Sequence, residues 1–239
     1  MAKMTLDELV AQLRAAFGAE LRSVVLYGSA ASGEHIPKQS DYNVLVLVDA
    51  LDVARLDAVA AVVRAWTDAG NPPPFTLTTD EWRRSADVFP MEYSDIHERH
   101  RVLHGDSPFD GVRVAPADLR RQLESEAMGK LLHLRKGVLA AGGDGRAQLE
   151  LLEASRSTIM VLFRATVRLH GETPPTDTAE LCRHVARLAA LDAEPFLRVL
   201  RHARGEQKVR AADAGRLLTD YVRGVQQLVA HIDQYRPGG

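Results

Sequence analysis

In the first half of the chain, segments with helical spacing of hydrophobic residues alternate with short apolar runs typical of strands. Between Thr5 and Phe17 the apolar residues recur at helical spacing, and Gly18 is suited to end that helix. The apolar runs LRSVVLY and YNVLVLV predict two buried strands, and the segment from Leu51 to Gly70 predicts a helix that precedes a third strand, FTLTT. Helices alternating with strands are typical of an α/β domain with a mixed, largely covered sheet.

The second half of the chain has helical periodicity almost throughout. One apolar stripe begins at Leu119 and repeats through Leu123, Ala127, Leu131, Leu134 and Val138, and a last long helix is predicted from about Ala211 to Tyr235. Glycine, proline and aspartate collect between His104 and Pro116, which favours a domain boundary there. We therefore predict an α/β domain over residues 1–110 and an all-α helical bundle over residues 111–239.

Charge and cysteine content limit the class of function. With 30 basic and 32 acidic residues the net charge is -2, so nucleic acid is an unfavoured partner. The single cysteine, Cys182, leaves no internal disulfide and fits a reducing compartment. No signal-peptide core and no apolar run of about 18 residues occurs, so we expect a cytoplasmic protein without a membrane partner.

Two short motifs lie next to the first two predicted strands. Gly28 and Ser29 directly follow the first strand, where glycine permits close backbone approach and a helix start offers N–H groups to phosphate. Asp41 and Asn43 lie two residues apart at the start of the second strand, so their side chains point to the same face. Oxygen ligands that converge in this way suit a divalent cation such as Mg²⁺.

Together these residues resemble the signature of nucleotidyltransferases of the DNA polymerase beta superfamily. That signature is a hydrophobic residue, Gly, Gly or Ser, a gap of about ten residues, and then two acids that alternate with hydrophobic residues. Here Tyr27, Gly28 and Ser29 are followed by an eleven-residue gap and the sequence DYNV from Asp41 to Val44. The order of an α/β domain and a helical bundle is similar to the small aminoglycoside nucleotidyltransferases.

The resemblance implies roles for particular residues of this chain. Gly28, Ser29 and Ser40 would bind the nucleotide, and Asp41 and Asn43 would contact Mg²⁺ that accompanies an NTP, with ATP expected. The family also carries a third acid on a neighbouring strand, for which the expected inward position is Thr76 or Thr78. Since neither is acidic, we expect Glu92, just beyond that strand, to act as catalytic base or third ligand beside Asp41.

Two functions follow from this pattern. The first is Mg²⁺-dependent transfer of a nucleoside monophosphate from an NTP to a hydroxyl of a small molecule or protein. The second is a nucleotide-binding or protein-interaction module that has lost transfer chemistry, because Asn43 offers only a weakly basic carbonyl oxygen where the family has a carboxylate. A homodimer is compatible with either function.

Overall fold

The computed structural model describes residues 3–31 and 41–236. By their contacts the residues form two compact units, Met1–Val114 and Ala115–Gly239. The first unit is an α/β domain and the second is helical, which confirms the predicted fold class.

The first unit is built around one sheet. Its elements in chain order are α1 (Leu6–Phe17), β1 (Leu21–Tyr27), β2 (Asn43–Val48), α2 (Val53–Asp68), β3 (Phe75–Thr78), α3 (Thr79–Arg84), α4 (Pro90–Glu98) and β4 (His100–Gly105). Within the described residues the strands are ordered β3-β2-β1-β4. Strand β1 is antiparallel to both β2 and β4, and β3 is parallel to β2, so the sheet is mixed as predicted.

Both faces of the sheet are covered by helices, which explains why β2 is apolar at nearly every position. Val44, Val46 and Val48 pack in one cluster with residues of α1 and α2. Leu45 and Leu47 face the other way and pack in a second cluster with α3 and α4. Because successive side chains of a strand point to opposite faces, a strand covered on both sides has no polar face.

The second unit consists of α5 (Pro116–Ala141), α6 (Gly145–Leu169), α7 (Thr178–Leu188), α8 (Glu194–Ala203) and α9 (Ala211–Gln234). Helix α6 packs against each of the other four helices. The predicted stripe of α5 is buried from Leu119 to Leu134. In the described part of the chain, no helix has the length and apolar character needed to cross a membrane.

Candidate active site

The candidate site lies at one edge of the sheet of the first unit, where three strands begin or end. Tyr27, the last residue of β1, is paired with Asn43, the first residue of β2. On its other side Tyr27 is paired with His100, the first residue of β4. Asp41 precedes β2 by two residues and is exposed. The Gly28–Ser29 motif and the Asp41–Asn43 motif, which are eleven residues apart in the sequence, therefore meet at this edge.

Gly28 forms a tight turn at the end of β1. Its φ of 78° is in the left-handed region, which glycine adopts without the steric cost that a Cβ would bring. The N–H of Gly28 donates a hydrogen bond to the carbonyl oxygen of Arg99 over 2.9 Å, and its carbonyl oxygen accepts one from Ala31 over 3.0 Å. A Cβ at position 28 would lie 3.5 Å from Nδ2 of Asn43, so the turn lies directly against the Asn43 amide.

The start of β2 is held from the opposite face. The Tyr42 N–H donates to Oδ1 of Asn71 over 3.2 Å, and the Tyr42 ring lies 6.2 Å from that of Trp66 in α2. Tyr42 thus packs on the α1 and α2 side of the sheet. Because side chains alternate along a strand, Asn43 faces the α3 and α4 side, together with Leu45 and Leu47.

The sequence prediction for the third strand was wrong about its inward positions. In the parallel register Leu45 is paired with Phe75 and Leu47 with Leu77, and all four residues pack on the α3 and α4 face. Thr76 and Thr78 are paired with Val46 and Val48, which point to the other face. The β3 positions on the Asn43 side are therefore apolar, and Phe75 is in edge-on contact with Phe89 at a ring distance of 6.4 Å.

Helix α4 brings acidic residues to the same edge. Glu92 is exposed in its first turn, and Asp95, one turn later, forms an ion pair with Arg99 at the end of the helix. Burial, followed by the negative charges of Asp95 and Glu92, raises the pKa of Tyr27 to about 12. Both carboxylates consequently lie near the end of β1.

Three of the predicted site residues lie close together at this edge. Gly28 and Asn43 are in contact range, and Glu92 lies near Tyr27 at the same edge. The backbone of Ser29 is part of a single 3₁₀ turn from Gly28 to Ala30, and Ser40 lies outside the described residues. Their roles and that of Asp41 stay predictions.

The donor set limits which metal ions the site can hold. Across residues 3–31 and 41–236, no three His, Cys, Asp or Glu side chains are grouped so as to hold a metal ion. A carboxylate and an amide carbonyl suit a single Mg²⁺ that takes most of its ligands from phosphate and water. They do not suit a second ion held by the protein, since Phe75 and Leu77 provide no oxygen ligand on that face.

Two residues of this edge were missed by sequence analysis. Tyr27 was noted only as the hydrophobic residue before Gly28, although it faces the acidic side chains of α4. Arg99 joins two elements, since its guanidinium binds Asp95 and its carbonyl oxygen accepts from Gly28. The four-residue spacing from Asp95 to Arg99 was the available signal, because side chains at that spacing are neighbours on a helix.

Comparison with known proteins identifies the fold. No protein-family model matches the sequence, and none of the curated proteins matches it. Among solved structures, the chain is similar to spectinomycin adenyltransferase AAD(9) from Enterococcus faecialis, which was crystallised with ATP and spectinomycin. The TM-score is 0.61 at 12% sequence identity, and the alignment covers 96% of this chain and 100% of the adenyltransferase. This chain therefore shares the fold of that adenyltransferase.

Proposed function

We propose that the protein transfers a nucleoside monophosphate from ATP, with Mg²⁺, to a hydroxyl group of a small molecule. The observation that carries this proposal is the contact between the Gly28 turn and the Asn43 amide, with Asp41 two residues away. A glycine turn next to side chains that carry oxygen atoms supports binding of a phosphate together with its cation. The fold shared with an adenyltransferase crystallised with ATP and spectinomycin supports the same chemistry.

The turn at Gly28 would receive the triphosphate. Because the Gly28 N–H is engaged by Arg99, Gly28 would contribute close approach of the backbone, not a hydrogen-bond donor. Ser29 and Ser40 would contact phosphate oxygens. Asp41 and Asn43 would contact the Mg²⁺ that enters with ATP, an ion that neutralises phosphate charge when bound.

Glu92 would act as the general base. Its carboxylate lies near the same edge as the turn and belongs to a separate element, α4. In the proposed reaction Glu92 takes the proton of the acceptor hydroxyl. The acceptor oxygen then forms a bond to the α-phosphorus as the bond to the leaving pyrophosphate breaks. General-base catalysis typically contributes about 10²- to 10⁴-fold to a rate.

A second function is favoured by two specific positions. Asn43 is neutral where the resembling family has an acid, and Phe75 occupies the facing strand on the same side of the sheet. A module that binds ATP without transferring its nucleotide would need neither carboxylate. In the first function, the acceptor hydroxyl could belong to a protein instead of a small molecule. In the second function, the module could bind a protein partner.

Transfer of label from [α-³²P]ATP distinguishes these functions. With Mg²⁺ and a panel of hydroxylated small molecules that includes aminocyclitols, the wild-type protein should form labelled product and pyrophosphate. Glu92→Gln should lower the rate by about 10²-fold or more, whereas Asp57→Asn, an exposed acid on α2, should leave it unchanged. Binding of ATP without product, together with turnover by Asn43→Asp, would support the second function. Absence of any nucleotide binding would overturn both nucleotide-dependent functions and leave only a structural or partner-binding role.

A further inference from the structure

Tyr27 is placed to contact whatever occupies the Gly28 turn. It directly precedes Gly28 and lies between Asn43 on β2 and His100 on β4. Its side chain is partly buried and packs with the cluster on the α3 and α4 side of the sheet. Asn43 faces that same side, so the phenol and the amide are neighbours on two paired strands.

The hydroxyl of Tyr27 differs from those of other tyrosines in the protein. The Tyr93 hydroxyl donates to the carbonyl oxygen of Trp82 over 2.6 Å. The Tyr235 hydroxyl donates to the carbonyl oxygen of Leu169 over 2.9 Å, and that of Tyr221 lies 3.0 Å from Oγ of Ser155. For Tyr27, the described residues provide no hydrogen-bond partner. A phenol at a strand end that has no hydrogen-bond partner in the described part of the chain has its donor available for a ligand.

Charge determines what kind of contact this hydroxyl can make. Burial and the carboxylates of Asp95 and Glu92 raise the pKa of Tyr27 to about 12, so the phenol is neutral and protonated at physiological pH. A neutral phenol can donate this proton to an anionic acceptor that enters the site. Asp95 is itself engaged in an ion pair with Arg99.

We propose that the Tyr27 hydroxyl donates a hydrogen bond to a phosphate oxygen of the nucleotide bound at the Gly28 turn. This inference rests on the proposed function, since it takes the turn as the triphosphate site. Tyr27 is then a nucleotide-binding residue, and its ring also fixes the relative positions of β1 and α4. The hydrogen bond is to a charged acceptor, for which loss of the donor typically weakens binding by about tenfold or more.

Tyr27→Phe tests the proposal because it removes only an oxygen that has no partner among the described residues. Isothermal titration with Mg²⁺–ATP should show about tenfold weaker binding for this variant, while its thermal unfolding stays close to wild type. The matched control is Tyr93→Phe, which removes a hydroxyl bonded to Trp82. It should unfold at lower temperature and bind Mg²⁺–ATP as the wild type does.

A titration with adenosine locates the contact on the nucleotide. If Tyr27 contacts phosphate, adenosine should bind the wild type and Tyr27→Phe with equal affinity. Equal affinity of Mg²⁺–ATP for the two proteins would overturn the proposal, and an equal loss with adenosine would overturn the assignment to phosphate. Failure of the wild type itself to bind Mg²⁺–ATP would instead overturn the proposed function, and this inference with it.

Discussion

The backbone N–H of Gly28 donates a hydrogen bond to the carbonyl oxygen of Arg99 over 2.9 Å. This bond connects the turn after β1 to the end of α4, the helix that carries Glu92 and Asp95. Arg99 also forms an ion pair with Asp95 one turn earlier, which holds the end of α4 together, while the Gly28 bond holds that end against the turn. The position of the acidic residues relative to the turn is therefore set by local contacts within the first unit.

Gly28→Ala should destabilise the first unit by about 1–2 kcal/mol because of its backbone conformation. A φ of 78° is costly for alanine, whereas the added methyl group would make only an ordinary 3.5 Å contact with Asn43. Chemical denaturation measures the effect. Gly129→Ala serves as the control, since this helical glycine of α5 has open space around it and should gain about 0.5–1 kcal/mol. Equal changes in the free energy of unfolding for Gly28→Ala and Gly129→Ala would contradict the claim that the positive φ of Gly28 disfavours alanine.

Gly145→Ala should destabilise the second unit through a steric clash. A Cβ at position 145 would lie 2.1 Å from the carbonyl oxygen of Ala211, and a backbone atom cannot move aside as a flexible side chain can. The expected cost is about 1–3 kcal/mol, as for other overpacked sites. Gly143→Ala, two residues earlier, meets no atom within 4 Å and should cost much less. Thermal unfolding of the two variants gives the comparison directly.

Acid should destabilise the second unit through His170 and His231. Their Nε2 atoms lie 2.9 Å apart, at the C-terminal ends of α6 and α9. Burial is the main cause that lowers both pKa values below 6.5, and repulsion from His170 lowers that of His231 further. For His170 a nearby Glu172 opposes this shift and His184 adds to it.

The sign of the pH effect follows from these lowered pKa values. The unfolded chain binds protons at higher pH than the folded one, so stability is present above pH 6.5 and is lost as the pH falls below it. The unfolding temperature should therefore decrease between pH 7 and pH 5. His231→Gln should show a weaker decrease, and an unchanged pH dependence in that variant would contradict the assignment.

Cys182 should be unreactive in the folded protein. Its side chain is fully buried in α7 with Met160 as a sulfur neighbour at 3.9 Å, and burial raises the pKa of the thiol to about 12. Since the thiolate is the reactive form, a thiol reagent at pH 8 should modify the native protein only negligibly. Denaturation should expose one reactive thiol per chain, because the sequence contains no other cysteine. Rapid modification of Cys182 in the folded protein would contradict this prediction and would show that α7 opens locally.

Much of the first unit could be predicted from hydrophobic pattern because its strands are apolar on both faces. The pattern located β1, β2 and β3 and the position of the turn at Gly28. It could not show which face of β3 meets Asn43, since the face depends on the pairing of Phe75 with Leu45. Thr76 and Thr78 were expected on the Asn43 side of the sheet, but they are paired with Val46 and Val48, which face α1 and α2.

Helix α4 shows a second limit of sequence reasoning. Its nine residues mix charged and apolar side chains without strong amphipathic order, so the pattern marked Glu92 as a candidate without predicting the helix. The hydroxyl of Tyr27 was equally hidden, because its significance depends on having no hydrogen-bond partner among residues 3–31 and 41–236. Both features arise from tertiary contacts that no local spacing encodes.

The most direct test of the account is calorimetric titration of Mg²⁺–ATP into the wild type, Asp41→Asn and the surface control Asp57→Asn. The claim that the edge formed by Gly28, Asp41 and Asn43 binds the nucleotide predicts saturable binding to the wild type and to Asp57→Asn. It also predicts at least tenfold weaker binding to Asp41→Asn, roughly the loss of one charged contact. Undetectable binding to the wild type, or equal affinity for Asp41→Asn, would contradict it.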